Sequence, residues 1–401
     1  MSTASRSALR ILWVATKPPF PALDGGRLVA AMTLRALKEA GNEITLVAPF
    51  DPRREEGAEA LREWCDPILV ASAPRPLLSS ALLSLPRRQP VSIVRHTHAA
   101  VREKVEEVLA GRAFDVVHAE QPQALAQCAP ARARGVPVVL RAQNVESDLW
   151  AAAGGGRPLS GALARIEAGR MAAFEAAAVR NAAATIALTA RDADRLGHLA
   201  GVPGKVHYVP APFPARLPAA DAPLPGAPAL ILVGSGGWLP NERASSWFLS
   251  TVWPQVRRAL PAAVLHVFGG SPDATPAADG VVRHPSPADS RDAFAPGSVL
   301  VVPLTFGSGV RMKILEAWAR GVPVVASPAA ALGLEAEDGR DLLLAASADA
   351  FVDALQRLSR EPGLGASLVA AGRRQLEDRY APAVVASRLA AVYQACLTRR
   401  A

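Results

Sequence analysis

Residues 303–327 read PLTFGSGVRMKILEAWARGVPVVAS, a pattern typical of a strand end, a glycine loop, a short helix and a second strand. The apolar run 299–303 predicts a buried parallel strand before the loop, and 322–327 predicts the next strand. Between them we expect a helix from about Val310 to Arg320, with Gly321 as its C-terminal cap. The stretch therefore predicts one unit of a parallel α/β sheet.

The glycine loop in this stretch has the chemistry of a phosphate site. Gly307 and Gly309, on either side of Ser308, allow the backbone to turn sharply and to approach a ligand closely. Because the loop opens onto a helix N-terminus, free N–H groups and the positive end of the helix dipole face that ligand. We therefore assign Gly307, Ser308, Gly309 and Val310 to a ligand-binding turn.

Charged side chains in the following helix support an anionic ligand. Arg311 falls beside the apolar stripe of the helix, where a guanidinium is costly unless it is paired. A diphosphate would pair it, with Lys313 as a second cation. Glu316 can accept hydrogen bonds from sugar hydroxyls. The alternative left open is a surface pair between Lys313 and Glu316, with Arg311 extended to solvent.

Two further glycine loops precede predicted helices. Gly25, Gly26 and Arg27 follow the first strand and precede a helix expected over residues 28–40. Gly236 belongs to a loop after the strand 229–233, and Asn241 is expected to cap the next helix. Each loop alone is weak evidence, because many α/β folds contain such a turn.

Polar residues also follow two predicted strands of the first half. Glu120 ends the strand that carries His118, while Gln143 and Asn144 follow the strand 136–141. Parallel folds bind ligands at the carboxyl ends of their strands. We expect Glu120 to accept a hydrogen bond from a sugar hydroxyl or to assist the nucleophile. The alternative is a carboxylate that faces solvent.

Length and composition favour two domains. The chain has 401 residues, of which 50% are hydrophobic, so a large core is available. The proline-rich segment 213–228 predicts a linker between a first domain, 1–212, and a second, 229–380. A last helix, 381–401, is expected to cross back to the first domain. No apolar run approaches the roughly 18 residues of a membrane span.

Charge and cysteine content narrow the function classes. The net charge is +8, but no basic patch is interleaved with aromatic residues, so no nucleic-acid partner is expected. Three cysteines lie far apart without metal-ligand spacing, which favours a reducing cytoplasm. The loop-rich segment 74–90 holds an apolar turn, 77–85, beside Arg87 and Arg88. This segment indicates either a peripheral membrane surface or an ordinary solvated helix face.

The segment GSGVRMKILEAWARGVPVV resembles the donor-binding segment of the GT-B retaining glycosyltransferases, glycosyltransferase family 4, in its sub-branch with G-S-G-x-R-x-K. The resemblance covers nearly the whole chain. It implies two doubly wound, Rossmann-like α/β domains that face an interdomain cleft. The second domain would bind the nucleotide-sugar, with Glu316 on the ribose, and the first would present the acceptor.

The chain departs from the family pattern at four places. Ser308 stands where many members have a second glutamate, and Glu120 replaces the second histidine of H-x-H. Gln143 replaces the histidine of a histidine–asparagine pair, in which Asn144 matches. The arginine and lysine that usually follow the strand 229–233 are absent, so Arg311 and Lys313 are expected to hold the diphosphate instead.

The resemblance implies a hexosyltransferase that moves a sugar from a nucleotide-sugar to a hydroxyl acceptor with retained configuration. The acceptor classes are glycans, lipid-linked glycans and natural products, in bacterial polysaccharide biosynthesis in the cytoplasm. Neither a cofactor nor a metal is expected, because the donor segment contains no D-x-D. Gly26, Gly236 and Asn241 are placed on the donor side, and Gly25, Arg27, Gln143 and Asn144 on the acceptor side.

Three alternatives stay open. The departures at Ser308 and Glu120 favour a catalytically silent GT-B protein that binds a nucleotide or a partner. A sugar-nucleotide epimerase shares the fold but lacks this donor segment. A nicotinamide dehydrogenase is the weakest alternative, since no G-x-G-x-x-G with a downstream acid follows a first strand.

Overall fold

The computed structural model describes residues 8–22, 24–52, 58–153, 158–234, 239–269, 278–306 and 308–398. The chain divides into two compact units. Unit 1 comprises Met1–Pro212 together with Pro382–Ala401, and unit 2 comprises Phe213–Ala381. Each unit is built around one parallel sheet, as expected for two doubly wound Rossmann-like domains of the GT-B fold.

The two sheets share one topology. The sheet of unit 1 has seven strands in the order β3-β2-β1-β4-β5-β6-β7, and that of unit 2 has six in the order β10-β9-β8-β11-β12-β13. In both sheets the first two connections run to one side and the chain then returns past its first strand. The strands are β1 Arg10–Val14, β2 Glu43–Phe50, β3 Asp66–Ala71, β4 Val116–Glu120, β5 Val138–Ala142, β6 Ala184–Ala187, β7 Val206–Tyr208, β8 Ala229–Val233, β9 Val264–Phe268, β10 Val281–His284, β11 Ser298–Val302, β12 Val324–Ala326 and β13 Leu343–Leu344.

Helices connect the strands and cover the sheets. A π-helical turn, Phe248–Val252, connects the helices Leu239–Trp247 and Trp253–Ala259. Another, Leu376–Tyr380, follows the helix Leu364–Gln375. The helices are α1 Gly25–Glu39, α2 Ala58–Leu61, α3 Leu77–Arg87, α4 Val91–Arg95, α5 Ala99–Gly111, α6 Ala129–Ala133, α7 Glu146–Ala153, α8 Pro158–Asn181, α9 Ala190–Ala200, α10 Leu239–Trp247, α11 Trp253–Ala259, α12 Met312–Arg320, α13 Pro328–Ala331, α14 Ala348–Arg360, α15 Leu364–Gln375 and α16 Pro382–Thr398.

Apolar side chains bury both faces of each sheet, which explains why the strands read as continuous apolar runs. In unit 1, Trp13 and Leu46 belong to the same buried cluster as Leu389 and Tyr393 of α16. The last helix is therefore part of the core of unit 1. In unit 2, Leu230, Trp253 and Phe351 lie in one cluster.

The segment 213–228 packs on unit 2. The Leu217 amide donates to the Ala319 carbonyl over 3.1 Å, and the Ala220 amide donates to the Phe294 carbonyl over 3.0 Å. The Ala227 amide donates to the Ala262 carbonyl over 2.8 Å. These residues form part of unit 2, which begins at Phe213.

Two local predictions were wrong. Gly25, Gly26 and Arg27 form the first turn of α1, because the Asp24 side chain caps it by accepting from the Arg27 amide over 2.9 Å. The segment 74–90 was expected to be loop-rich, yet Leu77–Arg87 is helical. Its internal proline, Pro86, lies in the last turn, where it removes one backbone donor just before the helix ends at Arg87.

The three cysteines, Cys65, Cys128 and Cys396, are free thiols and are buried. Burial raises the pKa of the Cys65 and Cys128 thiols to about 12, so both stay protonated at neutral pH. Across the described ranges, none of the helices has the length and apolar content needed to cross a bilayer.

Candidate functional site

The turn before α12 is built by the end of β11 and the start of that helix. Gly309 has a φ of +79°, which favours glycine at this point of the turn. Ser308 is buried and Val310 half-buried. Gly321 ends the helix in the left-handed conformation, as predicted, and α12 itself begins at Met312, two residues later than expected.

Arg311 immediately precedes α12 and points into the protein. Only 5% of the residue is exposed, and its Nη1 donates to the Ser308 carbonyl over 2.7 Å. The alternative in which this guanidinium extends to solvent is therefore wrong. The bond also ties the side chain to the glycine turn, so that the turn and the arginine form one structural element.

Lys313 lies in the first turn of α12, and its side chain extends to β8 and α10 of the same unit. Its Nζ donates to the Val233 carbonyl, at the end of β8, over 2.5 Å, and to Asn241 Oδ1 over 3.1 Å. Burial lowers the pKa of this ammonium to about 7, and the charge of Arg311 lowers it further in the same direction. Both of its acceptors are uncharged oxygens, so an anion beside it would restore its usual pKa.

Asn241 was expected to be a helix N-cap, and this prediction was wrong. The helix α10 begins at Leu239, so Asn241 lies inside it and accepts the bond from Lys313. The amide thus positions the ammonium of Lys313. Gly236 and Gly307, two predicted donor contacts, lie outside the described residues.

Glu316 lies on α12, one turn after Met312. Its Oε1 accepts from Ser290 Oγ over 2.6 Å and from Arg320 Nε over 2.9 Å. Arg320 also donates to the Pro218 carbonyl. The carboxylate is thus held by Ser290 and Arg320, and not by Lys313 as in the alternative of a surface pair.

The carboxylate of Glu120 occupies the centre of a polar cluster in unit 1, at the ends of β4 and β5. Only 3% of the residue is exposed. Arg141 Nε donates to Glu120 Oε1 over 3.1 Å and to Oε2 over 3.0 Å. Its Nη2 donates to Oε2 over 2.6 Å. The Gln143 amide donates to it over 2.6 Å. The alternative of a carboxylate that faces solvent is therefore wrong, whereas the hydrogen bond from a sugar hydroxyl stays a prediction.

The groups around Glu120 set its ionisation. Burial would raise the pKa of the carboxyl, but the adjacent Arg141 guanidinium outweighs it and holds the pKa at about 2. His118 Nε2 lies 3.2 Å from Glu120 Oε2, and its Nδ1 lies 2.8 Å from the Tyr393 hydroxyl of α16. Burial lowers the pKa of His118 to about 4. The cluster therefore combines a carboxylate, a guanidinium and a neutral imidazole at pH 7.

Gln143 connects this cluster to the start of α1. Its Nε2 donates to the Gly26 carbonyl over 3.1 Å, and its Oε1 accepts from Gln121 Nε2 over 3.1 Å. A Cβ atom on Gly26 would lie 2.6 Å from Gln143 Oε1, so only glycine fits without displacing this amide. Gln121 has a φ of +72°, a strained backbone at the edge of the same cluster.

A second polar group in unit 1 contains two carboxyl side chains, Glu146 of α7 and Glu175 of α8. The Glu175 carboxylate accepts from the Glu146 amide over 2.7 Å and from the Ser147 amide over 3.3 Å, which caps α7. Burial raises the pKa of Glu146 to about 7, with a further contribution from the charge of Glu175. Asn144 donates to the Glu146 side chain and is half-buried. The predicted acceptor-side residues Gln143 and Asn144 therefore lie in two adjacent polar groups.

Sequence reasoning missed residues that only tertiary structure brings to the cluster. Arg141 is a lone cation in an apolar strand, and this is the signal that could have pointed to a buried ion pair. Thr33 of α1 accepts from its Nη1 over 2.6 Å. Tyr393 is distant in sequence from His118 and carried no signal. Within the described ranges, no group of three or more histidine, cysteine, aspartate or glutamate side chains could hold a metal ion.

Family models match both halves of the chain. Residues 23–215 match Glycosyltransferase Family 4, and residues 227–361 match Glycosyl transferases group 1. The first match includes Glu120, Arg141 and Gln143 of unit 1, and the second includes the turn before α12. No curated relative matches the chain by sequence.

Solved structures share the fold at low identity. Sucrose-phosphate synthase from Thermosynechococcus elongatus is 17% identical, covers 98% of this chain and 100% of its own, and superposes with a TM-score of 0.73. Anabaena HepE, solved in complex with UDP-glucose, is 13% identical. The match covers 96% of this chain and 100% of HepE, with a TM-score of 0.65. A glycosyltransferase from Rickettsia africae is 10% identical. The match covers 98% of this chain and 99% of the Rickettsia protein, with a TM-score of 0.66.

Proposed function

We propose that this chain, which carries two glycosyltransferase domains on a GT-B fold, transfers a sugar from a nucleotide-sugar to a hydroxyl group with retained configuration. We assign the donor diphosphate to the turn before α12 in unit 2, and the acceptor side to unit 1. The donor sugar is a hexose in this proposal. HepE was solved with UDP-glucose, so UDP-hexoses are the first donors to test.

The observation that carries the proposal is the state of Lys313. Its ammonium is held by the Val233 carbonyl and the Asn241 amide oxygen, and it lies close enough to Arg311 for the two charges to repel. Two cations at the N-terminal end of one helix create a strongly positive field. A diphosphate would relieve that repulsion, and the free energy gained would stabilise its departure from the sugar.

The chemistry requires little from side chains beyond this electrostatic stabilisation. The bond between the anomeric carbon and the diphosphate oxygen breaks, and its electron pair leaves with the phosphate. The acceptor hydroxyl then forms its bond on the face from which the phosphate departs, and its proton passes to the phosphate oxygen. Retention follows because bond breaking and bond making share one face of the sugar.

Glu120 has an indirect role in this account. It holds Gln143 and Arg141, and Gln143 in turn bonds the first turn of α1. We therefore propose Glu120 as a positioning residue of the acceptor side rather than a base. Glu316, fixed by Arg320 and Ser290, is proposed as the carboxylate for the ribose hydroxyls of the nucleotide.

We further propose that transfer does not need a metal, because the donor segment contains no D-x-D and the cations of the turn supply the charge. Activity that survives a chelator supports this point, and activity restored only by a divalent cation contradicts it. The acceptor is proposed to be a glycan, a lipid-linked glycan or a natural product, with polysaccharide biosynthesis in the bacterial cytoplasm as the first setting to examine.

A catalytically silent binding protein is the second candidate. It is favoured by the occupied oxygens of Glu120 and by Ser308, which stands where many family members have glutamate. Incubation of the purified chain with UDP-hexoses separates the two functions. Slow cleavage of a UDP-hexose to free UDP supports an enzyme. Binding of the UDP-hexose with no cleavage over a long incubation supports the silent protein.

Substitution of Arg311 tests the donor site itself. Arg311→Ala should weaken binding of a nucleoside diphosphate about tenfold, near 1.5 kcal/mol, the scale of a charge-assisted hydrogen bond. Arg258→Ala removes an equal charge from an exposed position of unit 2 and should leave the affinity unchanged. Equal affinity in the wild type and Arg311→Ala would refute the assignment.

A further inference from the structure

Helix α3 buries its polar side chains and exposes its apolar ones. Ser80 and Ser84, one turn apart, are 0% and 1% exposed. Their hydroxyls donate to the Pro76 carbonyl over 2.8 Å and to the Ala81 carbonyl over 2.7 Å, so their burial leaves no hydroxyl unsatisfied. The outward residues are Leu77 at 59%, Leu78 at 81%, Leu82 at 69%, Leu83 at 38% and Leu85 at 59% exposed.

Such an arrangement is costly in water. A leucine side chain gains about 1.5–3 kcal/mol on full burial, and monomeric proteins rarely expose several together. Helix α8 adds Leu163 and Ile166, exposed at 66% and 53%. The neighbouring Glu167 carboxylate accepts from the Val91 amide, just after α3, over 2.9 Å. We call the five leucines of α3 the leucine face.

Arginines accompany the leucine face. A cavity of about 470 Å³ lies beside the C-terminal end of α3 and is lined by Arg75, Arg87, Arg102 and Arg132. Among the described residues that line it, none is acidic. Arg88, exposed at the end of α3, adds a further cation. An apolar face beside clustered guanidinium groups matches a surface that offers hydrocarbon and phosphate together.

We propose that the leucine face and the arginine-lined cavity dock unit 1 on an anionic phospholipid bilayer. The leucines enter the boundary between headgroups and acyl chains, and the arginines bind lipid phosphates. A second copy of this chain would cover the leucines, but it would bring two arginine clusters together. An acidic peptide would pair with the arginines and leave the leucines in water. A bilayer satisfies both groups at once.

Vesicle flotation with the full chain tests the proposal without any sugar substrate, so its outcome is independent of the transferase activity. The probes are vesicles of phosphatidylcholine alone and vesicles that also contain phosphatidylglycerol. Wild type should float with the anionic vesicles and much less with the neutral ones. Leu78→Ser with Leu82→Ser should weaken that binding at least tenfold, because both side chains are exposed and their loss leaves the fold intact.

Two further variants complete the test. Arg87→Glu with Arg88→Glu should abolish the preference for anionic vesicles. Leu332→Ser, at an exposed leucine of unit 2 that is 44% accessible, is the matched control and should bind like the wild type. Absence of wild-type binding to anionic vesicles overturns the proposal, and so does binding that survives the two serine substitutions. Dimerisation in lipid-free buffer that the serine substitutions abolish assigns the face to a second copy instead.

Discussion

The polar cluster of unit 1 and the turn before α12 in unit 2 both bury an arginine, but they balance its charge differently. In unit 1, Arg141 makes three hydrogen bonds to the Glu120 carboxylate. In unit 2, Arg311 donates to a carbonyl oxygen and Lys313 to a carbonyl and an amide oxygen. The Glu120 carboxylate offsets the charge of Arg141, whereas the two oxygens that accept from Lys313 carry no charge to offset its ammonium.

The ionisation of the two sites shows the same contrast. The pKa of Glu120 is held at about 2, because Arg141 outweighs the effect of burial, so its charged form is stable in the fold. The pKa of Lys313 is lowered to about 7 by burial and by Arg311, so its charged form is unstable there. A cation whose charged form is disfavoured in the free protein is stabilised when an anionic ligand binds beside it, so such a group indicates a binding site.

The largest expected effect breaks the balance in unit 1. Glu120→Gln leaves Arg141 buried without a carboxylate and should lower the free energy of unfolding by about 3–5 kcal/mol, measured by urea denaturation. Glu39→Gln removes an exposed i, i+4 pair with Arg35 and should cost under about 1 kcal/mol. Equal small losses in both variants would show that unit 1 does not depend on this ion pair.

The next prediction concerns the pH dependence of unit 2. The folded pKa of Lys313, about 7, lies below its usual value of 10.5, so the unfolded chain binds more protons between these values. The free energy of unfolding should therefore rise with pH from 7 to 9, by up to about 1.4 kcal/mol per pH unit.

Lys313→Met should remove this contribution from the slope, as measured by urea denaturation at several pH values. The buried cysteines oppose this slope near pH 9, because their thiols ionise near 9 in the unfolded chain and near 12 in the fold. They act equally in the wild type and in Lys313→Met, so the difference between the two slopes isolates Lys313. An identical slope in the variant would contradict the charge state assigned to the turn.

A third prediction tests the link between α1 and the cluster of unit 1. Gly26→Ala places a Cβ atom 2.6 Å from Gln143 Oε1 and should displace that amide. Alanine favours the helix by about 0.5–1 kcal/mol, which offsets the lost hydrogen bond, so stability should change little. Turnover should fall about tenfold while nucleoside diphosphate affinity stays constant. A fall in that affinity alone would contradict this outcome and support the donor side, where the sequence placed Gly26.

The smallest expected effect removes one bond from the same cluster. Tyr393→Phe deletes the hydroxyl that pairs with His118 Nδ1 and should cost about 1 kcal/mol of unfolding free energy. Because His118 bonds Glu120 within unit 1, nucleoside diphosphate affinity should be unaffected. A loss above about 3 kcal/mol would mean that this residue supports more of unit 1 than one bond.

Local pattern predicted those features that depend on neighbours in sequence. The strand, turn and helix around Arg311 follow from apolar spacing and from glycines, and both parallel sheets were predicted this way. The loop at residues 25–27 was misread because Asp24 caps the helix earlier than the glycines suggested. The apolar stretch 77–85 was identified from the sequence, but its helical form was missed because the prolines at 76 and 86 indicated a loop.

Tertiary partners were beyond the reach of sequence reasoning. The alternative of a solvent-facing Glu120 was wrong, since nothing near it in sequence shows that Arg141 and Gln143 donate to its oxygens. The alternative that paired Lys313 with Glu316 at the surface was wrong, because the long side chain of Lys313 reaches β8 and α10. Both errors concern long polar side chains, whose ends are positioned by residues far along the chain.

Proton uptake on ligand binding tests the central claim most directly. Calorimetric titration of the chain with UDP at pH 8, in two buffers of different ionisation enthalpy, gives the number of protons bound with the ligand. The account predicts an uptake close to one proton, because the diphosphate restores the charge of Lys313, and no uptake with uridine or with Lys313→Met. UDP binding by the wild type without proton uptake would contradict it.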